Sequence, residues 1–327
     1  MIKFKAFIGR GAQLAFLMVI LSGPFAEIMA QPIDEAVLKS VIQISTSRAT
    51  TGTGFLIATP FERAGNEQRT AVFLVTNKHM LGEWNPIDGD FNHYDWITLH
   101  LYRDMPASDG PVEKTQVPLK TADGKLNISR VAVHPDRTVD VAVVRIDDIA
   151  LAHQNRIRQR MTTKVLTTDW FEPFTNLPGA FAHIGAQVFA LGYSNGITSL
   201  LTNNPIAKVG HLAATAGEEL ALAARWSTRS GENSSITIRG KLILVDGLIV
   251  PGNSGGPVLL PGGGGVWGKN PKTGETIVQS AGPSKIIGVV SSGWAPAGLS
   301  YAYATDYIRS VLDSLLVQMA DDSKKPK

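Results

Sequence analysis

From Ala36 onward the chain consists of short runs of branched and aromatic residues, broken every few positions by Gly, Pro, Asn or Asp. Val41 to Ser45, Gly54 to Ala58, Ala71 to Thr76, Ile97 to Tyr102, Val141 to Ile146, Gln187 to Leu191, Leu242 to Val245 and Ile286 to Ser291 are such runs. Many short strands separated by turn signals predict an all-β sandwich or barrel architecture. Between Asp147 and Ala186 the pattern loosens into longer polar and mixed segments, His153 to Arg158 among them, with one predicted helix. This is where two β-rich halves divide, at about 36–147 and 185–305, with no internal repeat. The end differs again: Ile308, Val311, Leu312, Leu315, Leu316 and Met319 fall on one face at helical spacing, after the N-cap candidates Thr305 and Asp306. An amphipathic helix over about 306–319 is expected to pack this stripe on the body, followed by a polar tail over 321–327.

The first thirty residues read differently. Lys3, Lys5 and Arg10 precede an apolar stretch from Leu14 to Leu21, a Gly23-Pro24 break and the small Ala30, the order of a secretory signal peptide. Residues 1–30 are expected to be removed on export to a periplasm or beyond the cell, leaving a domain over 31–320. The apolar run is less than half the ~20 residues of a bilayer span, so no stable membrane anchor is expected. The formal net charge of +3 falls to +1 once Lys3, Lys5, Arg10 and Glu27 leave. A near-neutral chain lacks the clustered basic charge that nucleic acid demands, so no such partner is expected. Cysteine is absent, which excludes disulfides, a thiolate nucleophile and cysteine-ligated zinc. His93 and His100 have no further His or Cys cluster to complete a metal site, and neither a metal nor another cofactor is expected.

The chemistry concentrates in Pro251-Gly252-Asn253-Ser254-Gly255-Gly256-Pro257, between the apolar runs Leu242 to Val250 and Val258 to Leu260. Glycines on both sides of a serine let the backbone turn tightly, expose the hydroxyl and aim successive N–H groups into one concavity suited to an oxyanion. The same residues fit the G-x-S-x-G elbow of α/β-hydrolases, but there the histidine follows the serine, and all seven histidines here precede Ser254. The order Asp, His, Ser fares little better, because only Asp34 lies before His79 in the exported chain. The order His, Asp, Ser remains. His79 ends the strand-like Ala71 to Lys78 and Asp140 opens the strand-like Val141 to Ile146, so a base and its orienting carboxylate would be rigidly held. Alone, each has an ordinary reading as a turn or strand-end residue; the combination points to an acyl-transfer triad of Ser254, His79 and Asp140.

That combination resembles the two-barrel, chymotrypsin-like serine proteases, most closely the bacterial Deg (HtrA) type. The matching segments are Gly52-Thr53-Gly54-Phe55, Val75 to His79, Thr138 to Val143, Asp246 to Pro257 and Gly288 to Gly293, within about 36–320. The resemblance implies an all-β fold of two six-stranded antiparallel barrels with a C-terminal helix, and an endopeptidase acting on polypeptides. It implies that the N–H groups of Gly252 and Ser254 form the oxyanion hole and that Ser291, Ser292 and Gly293 bind substrate as an added strand. It also sets Leu248, six residues before the nucleophile, at the floor of the specificity pocket, which favours cleavage after small or medium apolar residues. With only 73 residues after Ser254, the PDZ domain common in Deg enzymes does not fit. The segments 83–95 and 212–235 have no clear counterpart. A catalytically silent module of the same fold that binds peptides by strand addition is the competing expectation, and esterase activity would be side chemistry of the same site.

Asn253 bears on activation. In animal digestive members of that fold an aspartate there pairs with an N-terminal ammonium freed by clipping. Asn253 has no charge to offset a buried ammonium, and Gln31-Pro32-Ile33-Asp34 lacks the clipping sequence. The oxyanion loop is therefore expected to be set by its own neighbours, with no cleavage needed beyond the signal peptide.

Overall fold

A computed structural model of the protein describes residues 33–324 except 64–66, 88, 103–111, 150–162, 181, 199–201, 228–232, 248–249, 263–264, 270–275, 281–282 and 295–297. Residues 1–30, expected to be a signal peptide, the segment His153–Arg158 and Leu248 lie outside the described residues. A short helix, α1 (Glu35–Ser40), capped by the Asp34 carboxylate on the Ala36 N–H, leads into the strands.

The first half contains β1 (Val41–Thr46), β2 (Thr51–Arg63), β3 (Glu67–Thr76), β4 (Gly82–Trp84), β5 (Phe91–His93), β6 (Trp96–Tyr102), β7 (Val112–Pro118), β8 (Val131–Val133), β9 (Ala142–Arg145) and β10 (Leu166–Thr167). Eight of these make one sheet in the order β7-β6-β1-β2-β3-β9-β8, with β10 adding in parallel to β2. β4 and β5 pair apart as a small hairpin. The second half contains β11 (Gln187–Gly192), β12 (Ile206–Leu212), β13 (Leu220–Ser227), β14 (Asn233–Gly240), β15 (Leu242–Asp246), β16 (Pro257–Leu260), β17 (Gly265–Lys269), β18 (Thr276–Ser280), β19 (Lys285–Trp294) and β20 (Leu299–Ala304). Six of them close a barrel in the order β11-β12-β15-β20-β19-β16, sealed where Phe189 and Ala190 meet Leu259 and Val258. β13–β14 and β17–β18 are two-stranded hairpins outside it.

The expectation of two closed six-stranded barrels is thus overturned: the second half is closed and the first is an open, curled sheet. The edges explain the opening. β8 is three residues long, and β7 carries the polar Glu113, Lys114 and Gln116 among mostly solvent-facing positions. A short edge and a charged edge have little to gain from pairing with each other.

The chain closes with α2 (Thr305–Lys324), longer than the apolar stripe alone predicts. Thr305 and Asp306 do not cap it in the expected way. The Thr305 hydroxyl donates to Glu172 O (2.6 Å), and the Asp306 carboxylate accepts from the Phe174 N–H (2.8 Å) and Lys241 Nζ (2.7 Å), tying the helix start to the crossover between the halves. Ile308, Val311, Leu312, Leu315 and Met319 are buried in a core that also takes Phe55, Phe73 and Val143 from the sheet and Leu191, Leu259 and Val289 from the barrel. At about 1.5–3 kcal/mol for each fully buried large apolar side chain, this shared core fixes the two halves on each other. Separate clusters fill each half, around Ile44, Leu74 and Leu99 in the first and Val188, Val258 and Val290 in the second.

Candidate active site

Strand register brings His79 and Asp140, the expected base and carboxylate, together. β3 and β9 run antiparallel with Thr76 opposite Ala142, so the residues following β3 and those preceding β9 leave the sheet at the same edge. A 3-10 turn, Lys78–Met80, carries His79 there. Its Nδ1 lies 2.7 Å from Asp140 Oδ2, and its backbone N–H donates to Asp140 Oδ1 at 3.2 Å. The Asp140 side chain is 1% exposed and that of His79 35%, so the carboxylate is shut in while the imidazole keeps one face open. Ser291 Oγ donates a further bond to Asp140 Oδ2 (2.8 Å). Burial opposes a charged imidazolium, but the charge of Asp140 and its hydrogen bond outweigh it and raise the His79 pKa above its ordinary value.

The Asp140 segment is held from several sides. Asn77 Nδ2 donates to Asp140 O (2.6 Å), Lys78 Nζ to Asp136 O (2.7 Å) and the Tyr303 hydroxyl to Thr138 O. Asp136, a second carboxylate close in sequence to Asp140, is spent on Thr138, accepting from its N–H and its hydroxyl at 2.8 Å each. Burial lowers the pKa of Lys78 to about 8, against the opposing pull of Asp140 and Asp136.

The serine sits in the loop between β15 and β16. Gly252 (φ +96°) and Gly255 (φ +87°) adopt conformations that L side chains rarely take, and a Cβ at Gly255 would stand 2.0 Å from Thr53 O. Four successive carbonyls of the loop are engaged: Pro251 O by Asn195 N–H (2.7 Å), Gly252 O by Thr53 Oγ1 (2.6 Å), Asn253 O by Gly256 N–H (2.9 Å) and Ser254 O by Thr53 N–H (2.9 Å). Among the described residues nothing bonds the N–H of Gly252 or of Ser254. Ser254 Oγ donates to Ser291 O at 3.1 Å, and no hydrogen bond joins it to His79. Ser291 thus touches both parts, its hydroxyl on Asp140 and its carbonyl on Ser254.

Ser291, Ser292 and Gly293 lie on β19. Ser292 and Gly293 face Tyr301 and Ser300 of β20 on one side, while pairing with β16 stops at Val289. Among the described residues no strand lies beside Ser291–Gly293 on the β16 side. Asp246 stands at the end of β15, in register opposite His211 of β12 and Leu299 of β20. His100 is buried and bonded to Ser45 Oγ (2.9 Å), with its pKa lowered to about 4 by burial and then by the charge of Lys114. His93 stacks edge-on against Phe91. Thr53 and Ser194 are the contributors that sequence reasoning missed. Thr53 grips the serine loop through N–H and hydroxyl, and its own carbonyl accepts from Thr76 Oγ1 (2.8 Å). The signal for it is a hydroxyl residue between Gly52 and Gly54.

Among solved structures, the fold is similar to an inactive form of the Rv3671c protease (17% identity, 90% of this chain and 98% of that one, TM-score 0.44). It is also similar to a Glu endopeptidase (14%, 88% and 96%, TM-score 0.40) and to a scabies mite inactivated protease paralogue (10%, 88% and 98%, TM-score 0.40). No curated protein matches the chain. The trypsin-like peptidase domain matches residues 52–268, a span that contains His79, Asp140 and Ser254, and the chain belongs to that family.

Proposed function

We propose that this is an exported serine endopeptidase in which Ser254 attacks the scissile carbonyl, His79 takes and returns the proton, and Asp140 orients the imidazole. The observation that carries the reading is the His79–Asp140 pair, 2.7 Å apart, bridged by Ser291 to a loop that presents Ser254 beside two unbonded N–H groups. Ser254 Oγ leaves Ser291 O and turns to the open nitrogen of His79. The tetrahedral oxyanion is held by the N–H groups of Gly252 and Ser254, the amine leaves with the proton from His79, and water activated by the same base releases the acyl group. Substrate lies along Ser291–Gly293 as an added strand, read by main chain. Leu248 favours small or medium apolar residues before the cut, and residues 1–30 direct export. A second reading, a silent module that binds peptides, draws on the bond of Ser254 to Ser291 O in place of His79.

The test is incubation of the chain starting at Gln31 with casein and a peptide library, followed by mass-spectrometric mapping of the new ends. Cuts after Ala, Val or Leu that vanish in Ser254→Ala are expected. Peptide binding without any cut by the folded chain would favour the silent module; cuts after Arg would overturn the pocket assignment and point to Asp246.

A further inference from the structure

The direction of an N–H in a trans peptide is fixed by the direction of the carbonyl on its other side. The Gly252 N–H shares its peptide with the Pro251 carbonyl, which accepts the Asn195 N–H at 2.7 Å. That bond turns the Gly252 N–H away from Asn195 and leaves it unbonded within the protein, among the described residues. One residue earlier, Ser194 Oγ lies 2.6 Å from Asn253 Oδ1. The distance fits O–H···O and is short for N–H···O, so the serine hydroxyl donates to the amide oxygen. Both residues are buried, Asn253 at 0% and Ser194 at 4% exposure, and among the described residues Asn253 Nδ2 has no partner. Among the described residues, the Ser194 hydroxyl therefore supplies the one side-chain hydrogen bond to the side chain of the residue before the nucleophile.

The turn that delivers both donors is sharply bent. Asn195 (φ +50°) and Gly196 (φ +73°) follow one another in left-handed conformations, a region that asparagine tolerates better than most side chains. The turn brings the Ser194 hydroxyl to Asn253 and the Asn195 N–H to Pro251 of the same loop. Beneath the turn, the Tyr193 N–H donates to Thr53 Oγ1 (3.0 Å), the hydroxyl that holds Gly252 O, so the turn and the open sheet grip the loop together.

We propose that the turn Tyr193–Ile197 holds the oxyanion loop in its working form, with Ser194 as the positioning residue whose neutral bond to Asn253 replaces the charge pair of an inserted amino terminus. The inference rests on the reading of Ser254 as nucleophile and of Gly252 and Ser254 as oxyanion donors. Losing the anchor should free Asn253 and let the Pro251–Gly252 peptide rotate, misdirecting one donor.

The experiment compares the wild-type chain, Ser194→Ala and Ser194→Thr, using a cleaved peptide, the matching peptide aldehyde and its alcohol analogue. An oxyanion donor acts in the transition state, and losing one outright costs about 10²–10³ in kcat, so partial misdirection in Ser194→Ala should lower kcat by roughly 10–100-fold with KM little changed. The aldehyde, which binds as a tetrahedral adduct, should weaken in parallel while the alcohol does not. Ser194→Thr, which keeps the hydroxyl, should restore most of both. Ser194→Cys, similar in size with a weak donor, replaces the alanine variant should that one not fold. Unchanged kinetics in a folded variant lacking the hydroxyl, or equal weakening of aldehyde and alcohol, would overturn the inference while leaving the protease reading intact. A wild-type chain that neither cuts peptide nor binds the aldehyde would overturn both.

Discussion

The two halves of the molecule prepare their reacting groups to different degrees. In the open sheet the work is finished: β3 and β9 end at one edge, His79 and Asp140 are already 2.7 Å apart, and the carboxylate is buried under bonds from His79 and Ser291. In the closed barrel the serine is presented but not aligned, its hydroxyl resting on Ser291 O. The contrast has a physical basis. A buried carboxylate without partners is costly, so the His79–Asp140 pair must be assembled on folding. A serine hydroxyl is satisfied by any nearby acceptor and can exchange partners by one side-chain rotation. What the barrel must fix is the backbone of the loop, and the bonds from Thr53, Asn195 and Gly256 fix it.

The largest way to break this comparison is to remove a group from each half. Ser254→Ala and His79→Ala are each expected to lower kcat by about 10⁶, and the double variant by little more, because the groups act as a unit. Additive losses in peptide turnover would mean that the halves work independently. Next in size, Asp140→Asn should keep the fold but reduce turnover by about 10⁴, through the wrong histidine tautomer. Near-normal turnover would transfer the role to another carboxylate, although Asp136 is engaged by Thr138.

A smaller effect concerns Lys78, buried beneath the assembled pair. Burial lowers its folded pKa to about 8, below its ordinary 10.5, so its charge costs stability below pH 8 and the cost is relieved as pH rises towards 10.5. Relative to Lys78→Met, the wild-type chain should gain on the order of 2 kcal/mol across that window. Urea unfolding of both at the two ends of the window measures it, and parallel stabilities would refute it. The smallest effect is the position of the pH limb. Activity should rise with pH through a midpoint above ~6.5, as His79, whose pKa Asp140 raises against the effect of burial, loses its proton. A profile flat from about pH 5 to 8 would remove His79 as the base.

Much of this architecture was legible in the chain because its signals are local. Each of the eight strand-like runs falls on a strand, with Val141 and Ile146 just outside β9, and the proposed triad of His79, Asp140 and Ser254 is read from flanking residues and chain order. What was not legible is long-range. Whether the first sheet closes depends on β7 and β8, edges distant in sequence, and no local pattern encodes their failure to pair. Thr305 and Asp306 look like caps, but their partners Glu172, Phe174 and Lys241 are supplied by the fold. β2 continues through Pro60 to Arg63 because β3 pairs with it along its length, with Pro60 opposite Thr70. The described part of α2 runs on through polar residues to Lys324, beyond the apolar stripe that marks the helix in the sequence. Thr53 reaches Gly252 across 199 positions and Ser194 reaches Asn253 across 59, separations at which a sequence motif is silent.

The central claim is that the pair prepared by the open sheet activates the serine presented by the barrel. The most direct test is a fluorophosphonate probe on the folded chain starting at Gln31, with the adduct mapped by mass spectrometry. The account predicts one adduct, on Ser254, that disappears in His79→Ala although the serine is still there. A folded chain that takes no label, or that labels equally well without His79, would contradict it.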